Sequence, residues 1–366
     1  MLNMNLEVIP LNKEYDELWN RFCSESDDAW FWHTTDFIDY QLNLRPALES
    51  KSMAFMVKEG KDILGICIIF LEKKEVNNQI FNEFSFGGDY CPSPALKNGL
   101  TESRKEEILK LVFSKIDEKA CEYDVTRASF KINPLSHNFL ESGALPYNYL
   151  MKYGFYDNSI NTQIINISLS EEELKRSIRK GHKYDINRGR KTYEIEIFDH
   201  SNIDRNTFDN YRQLHHKASG RITRPLITFD MMFNWITQDS AFLIGLLYNQ
   251  KFIAFSLFIK FKDGAYYGSA ADDPDVQVDV PIAHIIQWKA IDWLKSNKIK
   301  YYEIGWQQFG NQFYDFPSHK EQSISFFKRG FGGLTVPLFR GEKFYDDNYL
   351  KKIFDMRLMK LHDKTQ

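Results

Sequence analysis

The sequence predicts an α/β chain with mixed α+β sheets, arranged as two domains in tandem. Three observations carry this. Its 366 residues exceed an average single domain. The order strand, hairpin, strand, helix, strand occurs twice. A dense basic stretch, Lys175–Lys191, lies between the two copies. The expected division is 1–168 and 169–366, with 175–191 as the linking segment.

In the first copy, the runs Ser52–Lys58 and Ile63–Leu71 read as strands joined by the turn KEGKD. A helix follows over Ser103–Tyr123, then a strand in ASFKIN, Ala128–Asn133. In the second copy, Ala241–Tyr248 and Phe252–Phe261 flank the turn YNQK, and Ala265–Ala270 continues the sheet. A helix over Ile282–Ser296 and a strand in Lys300–Trp306 close the pattern. Further helix-like runs are Phe37–Leu42, Glu171–Ile178, Phe208–His216 and Phe229–Gln238, and Ile164–Ile167 is strand-like.

Composition narrows the function classes. The formal net charge is −3, so whole-surface attraction to nucleic acid or anionic lipid is not expected. Any basic site is local, and Lys175–Lys191 is the place for one, either as a solvated face or as a phosphate site. Aromatics reach 15%, with 30 Phe, which suits cores and also clefts that hold ligands by contact. Cys23, Cys67, Cys91 and Cys121 are widely spaced without a CxxC pair, so reduced thiols are expected and no metal site. The first residues resemble neither a signal peptide nor a membrane span, and the longest apolar run, Ile63–Leu71, is too short to cross a bilayer. A cytoplasmic protein with small-molecule substrates, no stable nucleic acid and no membrane span is the expectation.

Several stretches could carry chemistry. HHKASGRITRP places His215, Arg221 and Arg224 around a Gly-Arg turn, where two guanidiniums suit a phosphate or carboxylate. GSAADDPDVQVDVPIAH runs from a strand through an acidic loop to a helix that starts near Pro281. Its small residues would let a ligand lie against the backbone. Its first turn carries His284, and its loop carries Asp273; either could act as a base. SISFFKRGFGG brings Lys328 between aromatics and three glycines. No GxSxG, P-loop or HExxH is present, so a reaction needing no protein nucleophile fits: attack of a bound amine on an activated acyl group.

These stretches resemble the Fem-like tandem acyltransferases, in which two GNAT-type domains share one chain. WFWHTTDFIDYQ (Trp30–Gln41) is similar to the family's opening segment, and Ser170–Lys191 to its basic link. His215–Met232, the Pro281 helix with its following strand, and FFKRGFGG are similar to segments of its second domain. The resemblance covers roughly residues 30–335. It implies a GNAT fold in each half with a cleft between the two domains. It implies acyl-CoA along Ser269, Ala270 and Ala271, with its pyrophosphate at Val280, Ile282 and Ala283. The superfamily's glycine-rich loop is DVPIAH in this chain. Catalysis would fall to His284 or Asp273. Lys328, Arg221 and Arg224 would meet acceptor phosphates. Tyr267, Trp288 and Trp306 would wall the acceptor, with His33, His215, Asp89 and Tyr90 also in contact. The expected function is N-acyl transfer from coenzyme A to a nucleotide-linked amino sugar, serving surface-polysaccharide biosynthesis. The alternatives are an aminoacyl-tRNA-dependent Fem-like peptidyltransferase acting on a cell-wall precursor, and a non-catalytic nucleotide-sugar or nucleic-acid binder.

Overall fold

A computed structural model describes residues 6–141 and 147–365. They form two compact units. The first contains the chain to Asn161, the insert Phe309–Ser318 and everything from Pro337; the second contains Thr162–Gln308 and His319–Val336. A single cut near residue 168 therefore does not describe the division. The reason is strand pairing near the C-terminus: Arg340–Phe344 lies antiparallel to Val125–Lys131 in the first unit's sheet.

The first unit begins with β1 (Leu6–Pro10), α1 (Asp16–Glu25), α2 (Thr35–Leu44), β2 (Lys51–Ser52) and β3 (Phe55–Glu59). It continues through β4 (Asp62–Cys67), β5 (Phe70–Val76), β6 (Gln79–Ser85), β7 (Cys91–Pro92) and β8 (Ala95–Leu96). Then come α3 (Glu102–Glu122), β9 (Val125–Lys131), α4 (His137–Glu141) and β10 (Tyr156–Asp157), and the chain passes into the second unit through β11 (Ile160–Asn166). The apolar run Ile63–Leu71, expected as one strand, is split. β4 pairs in a sheet ordered β1-β3-β4-β8, while β5 pairs in a second sheet, and fully buried Ile68 and Ile69 make the step.

The second unit's elements are α5 (Glu171–Ser177), α6 (Lys180–Thr192), β12 (Glu194–Phe198), α7 (Arg205–Ser219), α8 (Leu226–Thr237) and β13 (Ala241–Tyr248). They continue with β14 (Lys251–Phe261), β15 (Gly264–Asp272), α9 (Ile282–Ser296), β16 (Tyr301–Gln307), α10 (His319–Arg329) and β17 (Leu334–Leu338). The chain closes with β18 (Arg340–Phe344) and α11 (Asp347–Thr365), both in the first unit. The first unit's larger sheet runs β10-β18-β9-β6-β5-β2, and the second unit's runs β12-β13-β14-β15-β16-β11-β17.

Local chemistry sets these boundaries. Ser170 and Glu173 form a capping box at α5, and Asp204 caps α7 through the Thr207 amide. The YNQK turn holds Asn249 and Gln250 at φ 51° and 62°, the left-handed pair a tight hairpin needs. The second unit's core is apolar and continuous: Phe242, Ile244, Phe258, Ile285, Trp288 and Tyr302 are all buried in it. The basic stretch expected as a link is part of this unit. Its α6 buries His182, Ile186 and Gly189, and Gly189 approaches Ile285 of α9 so closely that a Cβ there would meet it at 2.8 Å.

Candidate functional site

The second unit contains a gap between two parallel strands. β15 and β16 pair only at Gly264–Tyr266 with Tyr301–Glu303. Beyond that point β15 keeps its other neighbour, β14, as far as Asp272, while β16 runs on to Gln307. The strands splay, leaving one edge of Tyr267–Asp272 without a strand partner. The first unit has the corresponding parallel pair, β6 with β9, but short β7 pairs with β9 at Phe130 and Lys131. Its loop is fixed: the amides of Gly87 and Gly88 each donate to the Glu72 carboxylate at 2.8 Å. The turn-rich stretch around Asp89 and Tyr90 is thus an anchored insert.

Lys328 stands at the second unit's gap. It lies in the last turn of α10, where the helix dipole favours a cation. Its Nζ occupies the space beside Gly305 of β16; a Cβ there would lie 2.8 Å from it, and Gly305 holds φ at +110°. Glu303 is buried two residues earlier, and its carboxylate accepts from the Thr162 hydroxyl at 2.6 Å. Burial lowers the pKa of Lys328 and the field of Glu303 works against that; the net value is below the ordinary one. Gln307, two residues further, accepts from the Arg329 guanidinium at 2.8 Å.

The glycine turn after Lys328 is explained by close approach. Gly333 sits at φ +78°, with Ile164 O only 2.2 Å from where a Cβ would be. Gly330 leaves room for the His182 ring, whose Nε2 donates to Phe327 O at 2.9 Å. The aromatics of SISFFKRGFGG have separate tasks. Phe327 and Phe331 enclose His182 and His284, while Phe326 is exposed beneath the Arg179 guanidinium, 3.7 Å from its carbon.

The structure sorts the other expected residues. His284 packs edge-on to His182 at 4.4 Å, and its Nε2 is 3.8 Å from Asp185. Its Nδ1 is buried without a hydrogen-bond partner. Burial, and then His182, push its pKa down to about 4, so it is neutral at pH 7 and a weak base. Asp273 is almost fully buried, with Lys217 at 2.5 Å, Lys251 at 3.5 Å and the Asp275 amide at 3.0 Å. Its hydrogen bond with Lys217 lowers its pKa, which makes it a fixed carboxylate. His215 accepts from Arg224 at 3.0 Å, and burial followed by that charge pushes it down to about 4. Arg221 is exposed. Tyr267 stacks on Phe258 and is pushed up to about 12 by burial. Trp306 is 40% exposed, whereas Trp288 is only 2% exposed and walls nothing at the gap.

Along the expected cofactor path, Ser269 accepts from the Tyr211 hydroxyl at 3.0 Å, Ala270 is exposed and Ala271 is buried. Val280 O accepts from the Tyr193 hydroxyl, and Asp279 O from Arg188 at 3.2 Å. Ile282 and Ala283 open α9 after Pro281, which has no N–H and caps the helix without a side-chain bond. Asp272, Asp275 and Asp279 surround this loop.

In the first unit, His33 is completely buried and is a structural residue, correcting the expected ligand contact. Its Nδ1 accepts from the Trp30 amide at 3.1 Å, and its Nε2 donates to Ser93 O at 2.9 Å. Asp89 pairs with Lys131 at 2.8 Å. The Tyr90 hydroxyl accepts from Asn158 at 2.5 Å, and burial pushes its pKa up to about 12. Both border a polar pocket of about 200 Å³ that also reaches Glu83, Arg127 and Glu342.

Sequence reasoning missed Glu303, Gly305 and Gln307. Their alternation along YYEIGWQ is the signal: polar or small residues at every second position of a strand mark a face that meets something other than core. Among the described residues no cluster of His, Cys, Asp or Glu could hold a metal, and no helix is long and apolar enough to cross a membrane.

No protein-family model matches the sequence, and no curated protein does. Solved structures do. FemX is 11% identical with a TM-score of 0.64, covering 95% of this chain and 100% of that one. The L-PGS from Bacillus licheniformis has a TM-score of 0.57 at 11% identity, over 96% and 98% of the two chains. A tandem GNAT protein from the clavulanic acid biosynthesis pathway has 0.52 at 10% identity, over 93% and 98%. The class defined is therefore a fold: mixed α/β, with two GNAT-like halves in one chain.

Proposed function

We propose that this chain transfers an acyl group to an amine, with the second unit's strand gap as the place of reaction. The observation that carries this is the splay of β15 from β16 with the Lys328 ammonium placed against Gly305 beside it. A splayed strand edge offers backbone donors and acceptors to amide groups and to the acyl carbonyl of an extended donor. A fixed cation in a desolvated site stabilises the oxyanion that forms when an amine attacks the acyl carbon. The C–N bond forms, the bond to the thiol or hydroxyl leaving group breaks, and that group leaves with a proton. A model amino group has a pKa of about 8, so no strong base is required. The likeness of the fold to FemX and to the tandem GNAT protein also supports the transferase reading.

The donor has two readings. In the first, acyl-CoA lies along Ser269–Ala271 and the acceptor is a nucleotide-linked amino sugar for polysaccharide assembly, held by Arg221, Arg224 and Trp306. In the second, the donor is an aminoacyl-tRNA and the acceptor a cell-wall precursor. The second is favoured by the loop before α9: it has no glycine, begins the helix after a proline, and carries carboxylates where a pyrophosphate would need donors. Calorimetric titration with coenzyme A, followed by assay of thiol release from acetyl-CoA in the presence of nucleotide amino sugars, separates them. Saturable CoA binding with release of thiol supports the first. No CoA binding, together with transfer from aminoacyl-tRNA, supports the second. Failure of both donors sinks the transferase reading.

A further inference from the structure

We propose that the pocket where α5 and α6 meet α9 binds a small phosphate monoester with an aromatic body. It is distinct from the strand gap and depends on no reading of it. The pocket holds about 240 Å³, room for one ring and a phosphate and little more. Its floor is apolar and rigid: Ile178 and Ile186 are each 4% exposed and Trp288 only 2%.

Its rim is cationic. Lys175, Arg176, Lys183 and Arg190 line it, opposed by Glu172 as the one carboxylate there. Lys175 is already paired with Glu171. Arg176 and Arg190 are exposed and reach no carboxylate within ion-pair distance among the described residues, while Arg190 lies 5.9 Å from the centre of the Trp288 ring. Two forked guanidiniums on one rim, Arg190 over the indole, suit a doubly charged phosphate beside an aromatic ring. The Trp288 indole N–H is buried with no acceptor. An indole N–H in a core normally finds a partner. This pocket also accounts for the basic stretch of the sequence. Its apolar side, Ile178 and Ile186, makes a floor, and its charges stay at the rim.

The test is calorimetry on the full chain with phenyl phosphate and, separately, inorganic phosphate. The expected result is saturable phenyl phosphate binding at least about tenfold tighter than inorganic phosphate, because only the ester uses the floor. Arg176→Gln with Arg190→Gln should weaken it about tenfold or more at unchanged melting temperature, since both side chains are exposed. The single variants keep the test open if the pair proves unstable. Equal affinity for the two probes would mean that the rim attracts anions without a built site. Unchanged binding in the variants would place the ligand elsewhere. Absence of saturable heat would dispose of the site. Each of these three outcomes overturns the proposal.

Discussion

The ammonium of Lys328 fills the space where a side chain at residue 305 would begin: a Cβ built on Gly305 would lie 2.8 Å from Nζ. Lys328 therefore touches the backbone of β16 and is not free to swing as a surface lysine would. The same relationship predicts two variants with one outcome. Lys328→Met keeps the stem and removes the charge, so transfer should fall about a hundredfold or more while folding is retained. Gly305→Ala pushes the ammonium away and also strains a residue held at φ +110°, costing roughly 1–3 kcal/mol. Single-turnover rates alongside melting curves check both. Full activity in a folded Lys328→Met protein would remove Lys328 from the reaction.

A buried lysine leaves a pH signature. Burial lowers the pKa of Lys328 from the ordinary value near 10.5, and Glu303 offsets part of the fall. The native state then loses this proton at a lower pH than the unfolded chain does. Between the two values the unfolded state binds more protons, so stability should rise with pH across that window, and Lys328→Met should abolish the rise. Activity has the opposite sign, because the charged form is the useful one: it should fall as pH climbs through the lowered pKa. Glu303→Gln should move that alkaline limb to still lower pH. An unmoved limb would show that another group sets it.

How far this was legible follows from the residues. The two-copy pattern, the YNQK hairpin and the helix after Pro281 depend on local periodicity and turn chemistry, and those are written in short windows of sequence. Lys328 stands out in the sequence as a cation among aromatics and glycines, but its placement against Gly305 joins two segments and lies in no short window. The mixed membership of the C-terminal segment was not, since the pairing of Arg340–Phe344 with Val125–Lys131 joins residues some two hundred positions apart. His33 misled for a related reason. A histidine in an aromatic stretch reads alike whether its ring meets a ligand or, as it does, Ser93 O and the Trp30 amide. Trp288 misled because one face of α9 packs on the core while its edge meets α6, a distinction that a helical period alone does not make.

The two neutral histidines predict an acid limb. His215 and His284 each titrate at about 4 in the folded chain against about 6.5 otherwise, with burial the first cause in both. Between those values the unfolded chain binds more protons. Stability is therefore full above about pH 6.5 and drains as pH falls toward 4, by roughly 3 kcal/mol for each histidine at most. His215→Gln should flatten part of this slope, read as melting temperature between pH 7 and 4. An identical slope in the variant would mean that His215 is not the buried neutral group described. For His284 the same shift bears on chemistry: a group this weakly basic serves packing better than proton transfer, so His284→Gln should cost less in turnover than Lys328→Met.

The first unit offers a prediction independent of any donor. Arg127 bridges two buried carboxylates, Glu83 at 3.0 Å and Glu342 at 2.7 Å, each 3% exposed. Glu342 keeps a second partner in Arg357 at 2.7 Å, and Glu83 keeps the Tyr349 hydroxyl. Arg127→Met removes the shared cation and leaves Glu83 with a single neutral donor in a buried site. The expected loss is about 3–5 kcal/mol by denaturant titration, most of it the cost of the uncompensated Glu83 charge. If that account is right, Glu83→Gln on the Arg127→Met background should restore part of the loss, because the amide needs no counter-charge. Glu342→Gln should restore less, since Arg357 still holds Glu342. A small loss on Arg127→Met, with no recovery from either second change, would show that solvent already reaches these carboxylates through the 200 Å³ pocket beside them.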